Sequence, residues 1–109
     1  LTTDHGSVHC NRPAVVFAKR DATANLRYKF GRDLRVENPA AVLSASDPDD
    51  LRLPSRGYQT NYALCREDYY FVYPTKLREY QSRYRDSFLH GGISPEEMIL
   101  PAVLLTPRV

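Results

Sequence analysis

The sequence predicts a mixed α/β fold, with a mixed sheet of about five short strands and three or four short helices. Two observations lead there. Apolar runs such as PAVVFAK, residues 13–19, are short and valine-rich, which suits strands. Between such runs stand Asn38-Pro39, Asp47-Pro48 and Ser94-Pro95, each a polar cap followed by a proline preset for the first helical position. A length of 109 residues suits one domain.

In chain order, LTTDHGS reads as the end of a buried strand, with a turn at Gly6. The opening looks like a strand already under way, so the chain is expected to be a fragment of a longer protein. PAVVFAK is a strand. ANLRYKFGRDL, residues 24–34, is extended with a turn at Gly31. ENPAAVLSAS predicts a short helix capped by Asn38, and SDPDDLRLP a second capped by Asp47 and ended by Pro54. YQTNYALC and DYYFVYP predict two antiparallel strands joined by the charged turn RED. In TKLREYQSRYRDSF, residues 75–88, Leu77, Tyr80, Tyr84 and Phe88 recur at helical spacing, with Thr75 as N-cap. Gly91 and Gly92 stop any continuation. SPEE is a capping box built on Ser94 and Glu97, Pro101 breaks that helix, and AVLLTP forms a last strand.

Composition narrows the class. Apolar residues make up 42% and charged residues 26%, ordinary values for a soluble globular protein. A net charge of +2 is too small to argue for nucleic acid, and no apolar run approaches the ~18 residues of a membrane span. Cys10 and Cys65 lack CxxC spacing. They read as two reduced, partly buried thiols of a cytoplasmic protein, with a disulfide as the alternative.

Three stretches carry chemistry. Asp4 and His5 are adjacent before Gly6. A carboxylate and an imidazole are common ligands of a zinc-like ion, while a plain turn with a solvated carboxylate is the alternative. His90 precedes two glycines and a capped helix, a rigid mount that suits a metal ligand. It equally suits a histidine placed at the C-terminal end of the preceding helix. Arg27 and Lys29 share a face if their segment is a strand, and they would hold an anionic phosphate or else line a solvated, ion-paired face.

TTDHGS, NLRYKFGRDL and FLHGGISPEEMILPAVLLTPR together resemble the C-terminal part of a PglZ domain, of the alkaline phosphatase superfamily. They are similar to the PglZ portions fused to receiver domains in response regulators linked to type IX secretion. The resemblance runs from the first residue nearly to the last, with HGGISPEEMILP its most specific part. It implies an alkaline-phosphatase-like fold, of which residues 1–109 would be a single-domain fragment. It implies two divalent metal ions, zinc above all, that clamp a phosphoester while a bound hydroxyl nucleophile attacks in line. Asp4 and His5 would bind the nucleophile-side ion, His90 the other, and Arg27 and Lys29 would lie on the substrate side. The family's first aspartate, its nucleophile and its Asp-x-x-x-His pair would lie upstream. The isolated chain is therefore expected to be inactive and metal-free or weakly loaded. The implied partners are the upstream part of the same catalytic domain and a receiver domain. A regulatory or protein-interaction scaffold with a vestigial metal site is the alternative. A truncated sheet would also leave a strand edge open to homodimer formation. Nucleic-acid and membrane partners are not expected.

Overall fold

The middle of the molecule is a sheet covered on both faces, and its two longest apolar runs build it. In the computed structural model, residues 1–19, 25–55, 57 and 60–108 are described, so the expected starts of the extended segment at 24 and of YQTNYALC at 58 lie outside the described residues. The strands are β1 (Val8–Cys10), β2 (Arg12–Phe17), β3 (Tyr28–Gly31), β4 (Arg35–Val36), β5 (Val42–Ala45), β6 (Asn61–Cys65), β7 (Tyr69–Val72) and β8 (Ser87–Leu89). The helices are α1 (Leu77–Tyr84) and α2 (Pro95–Met98), with short 3-10 turns at Pro39–Ala41, Pro48–Leu51 and Pro74–Lys76. The mixed α/β class therefore stands, but among the described residues eight strands in three small sheets replace the expected single sheet of about five.

Parallel pairing of β2 with β7, flanked by antiparallel β4, forms the middle layer. Alternate residues of a strand point to opposite faces. Ala14, Val16 and Phe71 face a core shared with Ala41, Val42, Ala63 and Cys65 of the β3-β6-β5 sheet. Val15, Tyr70 and Val72 face the other way, against Val8 and Cys10 of the β1-β8 ribbon and Leu77, Tyr80 and Tyr84 of α1. Burial on both faces explains why PAVVF and YYFV are continuous apolar runs rather than alternating ones.

Four expectations are corrected. The 60–72 region holds both strands but no hairpin: β6 joins β3 and β5, while β7 joins β2. A left-handed Glu67, at φ 45°, turns the chain between them, and the carbonyls at that corner accept from Arg27 instead of from a facing strand. Second, ENPAAVLSAS makes only a 3-10 turn, capped as expected by the Asn38 side chain on the Ala40 N–H, before becoming β5. Val42 and Ala45 are buried there by pairing with β6. Third, α1 stops at Tyr84 and Thr75 does not cap it. Asp86, at φ 62°, breaks the helix, and its N–H donates to the Cys10 carbonyl, which starts the β8 pairing with β1. Phe88 thus sits opposite His9 on that ribbon, 71% exposed. Fourth, AVLLTP forms no strand. Its Ala102 makes one antiparallel bridge with Thr2, and Val103 exchanges hydrogen bonds with Leu1.

Leu1 is exposed, and the opening segment makes a single bridge, from Thr2 to Ala102. The radius of gyration, 16.0 Å, exceeds the roughly 13 Å of a compact chain of this length, and Leu104 and Leu105 stand in solvent. Cys10 and Cys65 are free thiols, and both are fully rather than partly buried. Burial pushes them up to about 11 and about 12. Among the described residues, no helix is long and apolar enough to cross a membrane.

Candidate functional site

Helix α2 is a single turn, and its capping glutamate does far more than cap. Burial by itself would favour the neutral acid at Glu97. Five donors outweigh that cost. Oε1 accepts from the Gly92 N–H at 2.9 Å and from Arg27 Nε at 2.7 Å. Oε2 accepts from the Ser94 N–H at 2.8 Å, the Ser94 hydroxyl at 2.5 Å and Arg27 Nη2 at 2.6 Å. The carboxyl is thereby held down to about 2.

Arg27 is the other half. Its side chain is 0% exposed, and a guanidinium has five N–H donors. Two go to Glu97, as above. The other three reach the carbonyls of Cys65 at 3.3 Å, Arg66 at 3.3 Å and Tyr69 in a short contact. Every donor has an acceptor, which is the condition under which a buried charge is tolerated. Arg27 therefore ties the β6–β7 corner to the loop before α2. The backbone at 26–27 ties the sheets as well: the Leu26 carbonyl accepts from Phe71 N–H, and the Arg27 carbonyl accepts from Cys65 N–H, at 2.8 Å each.

The two glycines after His90 fit this network for different reasons. At Gly92 a Cβ would fall 2.5–2.7 Å from the Arg27 guanidinium, so the backbone lies flat on the planar cation. Gly91 has φ 108°, a conformation side chains resist, and rests against the Tyr28 ring. His90 is thus mounted on a loop fixed by the buried Arg27–Glu97 pair.

Gly6 brings the other histidine. It was expected to supply a turn through positive φ, but its backbone lies outside that region. What it supplies is close approach. Its N–H donates to the Glu97 carbonyl at 3.1 Å, and a Cβ there would lie 1.9 Å from the Glu96 carbonyl oxygen. The opening segment is therefore pressed onto α2, and the His5 ring stacks on the His90 ring, with centroids 3.8 Å apart and planes 16° from parallel. His5 Nδ1 donates to the Gly6 carbonyl at 2.8 Å. In the neutral ring that leaves Nε2 with its lone pair, 3.7 Å from Asp4 Oδ1. Two acceptors face one another, an arrangement that a cation satisfies. All three residues are exposed to solvent.

The structure thus brings His5, His90 and Asp4 together at one edge of the molecule. Arg27 and Lys29, expected on the substrate side, lie inside it. Lys29 is 1% exposed, its Nζ donates to the Tyr73 hydroxyl at 3.1 Å, and burial lowers it to about 8. Among the described residues no group of three or more His, Cys, Asp or Glu side chains is arranged to hold a metal ion. His9 lies on β1, opposite Phe88, with its Nε2 3.6 Å from Asp86, and takes no part. Sequence reasoning missed Glu97 beyond its cap role and missed the link between Gly6 and α2. The usable signal was the Glu97 carboxylate itself, which has more acceptor sites than a cap consumes.

The pair carries a pH prediction. A depressed carboxyl contributes stability that is complete above its ordinary value of 4.5 and is lost as pH falls toward about 2. That contribution is on the order of 3 kcal/mol. In a side-chain 13C titration Glu97 is expected to stay ionised down to pH ~3, below its ordinary range. A midpoint near 4.5 would mean that the buried pair does not form in solution.

No curated protein matches the chain. The family model described as the BREX system PglZ alkaline phosphatase-like domain matches residues 1–105. The match takes in both halves of the histidine site and the Arg27–Glu97 pair that mounts it, and the chain belongs to this PglZ family of alkaline phosphatase-like domains.

Proposed function

We propose that this chain supplies part of a two-metal phosphatase or phosphodiesterase centre, with Asp4 and His5 on one ion and His90 on its neighbour. The observation that carries the reading is the His5–His90 stack. Near-parallel rings 3.8 Å apart match the about 3.5–4 Å spacing of ions in two-metal sites, so they suit adjacent ions better than one shared ion. Asp4 Oδ1 and His5 Nε2, 3.7 Å apart, are within a few tenths of an ångström of the ~3.3 Å that separates two ligands about 2 Å from a tetrahedral ion.

The donors fit zinc in kind but not in number, because a firm site takes about three or four protein ligands per ion. On this reading the missing ligands and the hydroxyl nucleophile come from an upstream part of the same domain, in a cytoplasmic protein that carries a receiver domain. Bound ions would neutralise the phosphoester and lower the pKa of a coordinated hydroxyl. The residues of this chain orient that chemistry. The Gly6 carbonyl sets the His5 tautomer, and Arg27 with Glu97 holds the His90 loop.

The test is zinc-dependent hydrolysis of bis(p-nitrophenyl) phosphate by the full-length protein. His5→Ala and His90→Ala are each expected to lower turnover at least about a hundredfold, since even outer partners of metal ligands cost 10–100-fold. Unchanged turnover in both variants would overturn the reading.

A further inference from the structure

Away from the histidines, a groove of about 530 Å³ runs between α1 and the floor of the β2-β7 layer. That is ligand size. Arg78, Gln81, Ser82 and Arg85 line one wall, and their spacing of three, four and seven residues puts them on one side of α1 and its last turn. Leu77, Tyr80 and Tyr84 occupy the core side. Tyr70 lines the floor. It is 0% exposed, and its hydroxyl is the one buried side-chain polar atom among the described residues without a hydrogen-bond partner. A buried hydroxyl left unpaired is costly, so an acceptor that reaches it from the groove would be stabilised there.

The wall is short of an acceptor too. Among the described residues the side chains of Arg78 and Arg85 have no carboxylate and no hydrogen-bond acceptor. Asp86 lines the same groove, and its Oδ1 lies 3.6 Å from His9 Nε2. Two guanidinium groups that are unpaired among the described residues, an amide and a hydroxyl thus line one space over Tyr70, with Asp86 as the carboxylate of its lining.

We propose that this groove binds a phosphate-type oxyanion through Arg78, Arg85 and the Tyr70 hydroxyl, with Ser82 and Gln81 beside it. Two guanidinium groups rooted about 10 Å apart along the helix, plus a third donor from the floor, ask for more acceptor oxygens than a carboxylate offers. A phosphate dianion has enough. The groove shares no lining residue with Asp4, His5 and His90 and stands independently of the metal-site reading.

The experiment is an NMR titration of the EDTA-treated chain with inorganic phosphate at constant ionic strength, following the Tyr70 ring and the Arg78 and Arg85 side-chain N–H signals. Saturable shifts at all three are expected, with none on adding equivalent chloride. Arg78→Gln with Arg85→Gln should weaken binding at least tenfold, and Tyr70→Phe about tenfold, as a hydrogen bond to a charged group implies. Tyr70→Phe removes only an unpaired hydroxyl, so it should fold. His5→Ala with His90→Ala should leave these shifts intact, which separates this proposal from the previous one. Adenosine monophosphate binding tenfold tighter than phosphate would identify an esterified ligand, and equal or weaker binding the free ion. Non-saturable shifts, or undiminished affinity in the double arginine variant, would overturn the proposal.

Discussion

Replacing Glu97 with alanine is expected to destabilise the chain by about 3–5 kcal/mol, the range for leaving a buried charge without its partner. Arg27 would keep its three carbonyl contacts but lose the only anion near its guanidinium among the described residues. The Gly92 and Ser94 N–H groups would lose their acceptor at the same time. The effect should therefore be non-local. Urea unfolding gives the stability loss, and the His90 loop should lose amide-exchange protection before the β2-β7 layer does. The paired variant Arg27→Met with Glu97→Met should recover much of the loss, because replacing both ions by apolar groups removes the stranded charge. A Glu97→Ala protein within 1 kcal/mol of the wild type would show that the pair does not hold the loop.

The second large effect is at Gly6. An alanine there sets its Cβ 1.9 Å from a backbone oxygen, and no flexible side chain can yield. The opening segment must lift from α2, breaking the Gly6 N–H bond to the Glu97 carbonyl. Overpacking of this kind costs about 1–3 kcal/mol. The consequence for the site is larger than that figure suggests. His5 is the adjacent residue, so it moves with Gly6 away from His90. In the full-length protein Gly6→Ala should lower zinc-dependent turnover nearly as far as His5→Ala does, while leaving the far cores intact. Wild-type turnover in Gly6→Ala would contradict the close approach.

Both effects arise where local reading ran out. The caps at Asn38, Asp47 and Ser94 were legible because a cap and its target lie within three residues. So were PAVVF and YYFV, whose valine and aromatic content needs no partner to be read. The hairpin at 60–72 failed because its outcome depends on Arg27, some 40 residues earlier. Periodicity also misled in NLRYKF. Alternation suggests that Leu26, Tyr28 and Phe30 face inward, yet Arg27 and Lys29 are the buried ones and the aromatic residues are half-exposed. Nothing in that segment reveals that a carboxylate 70 residues away neutralises Arg27. The convergence of DHG with HGGISPEE was inferred from residue types, and the geometry supplies its cause: two glycines chosen for contact, Gly6 on α2 and Gly92 on Arg27.

A buried ion pair mounts one histidine against another. The most direct measurement is the nuclear Overhauser effect between the ring protons of His5 and His90 in the metal-free chain. With centroids 3.8 Å apart, the wild type should show a strong cross-peak, and Glu97→Ala should lose it while the β2-β7 contacts persist. No cross-peak in the folded wild type, or one that survives unchanged without Glu97, would contradict the account.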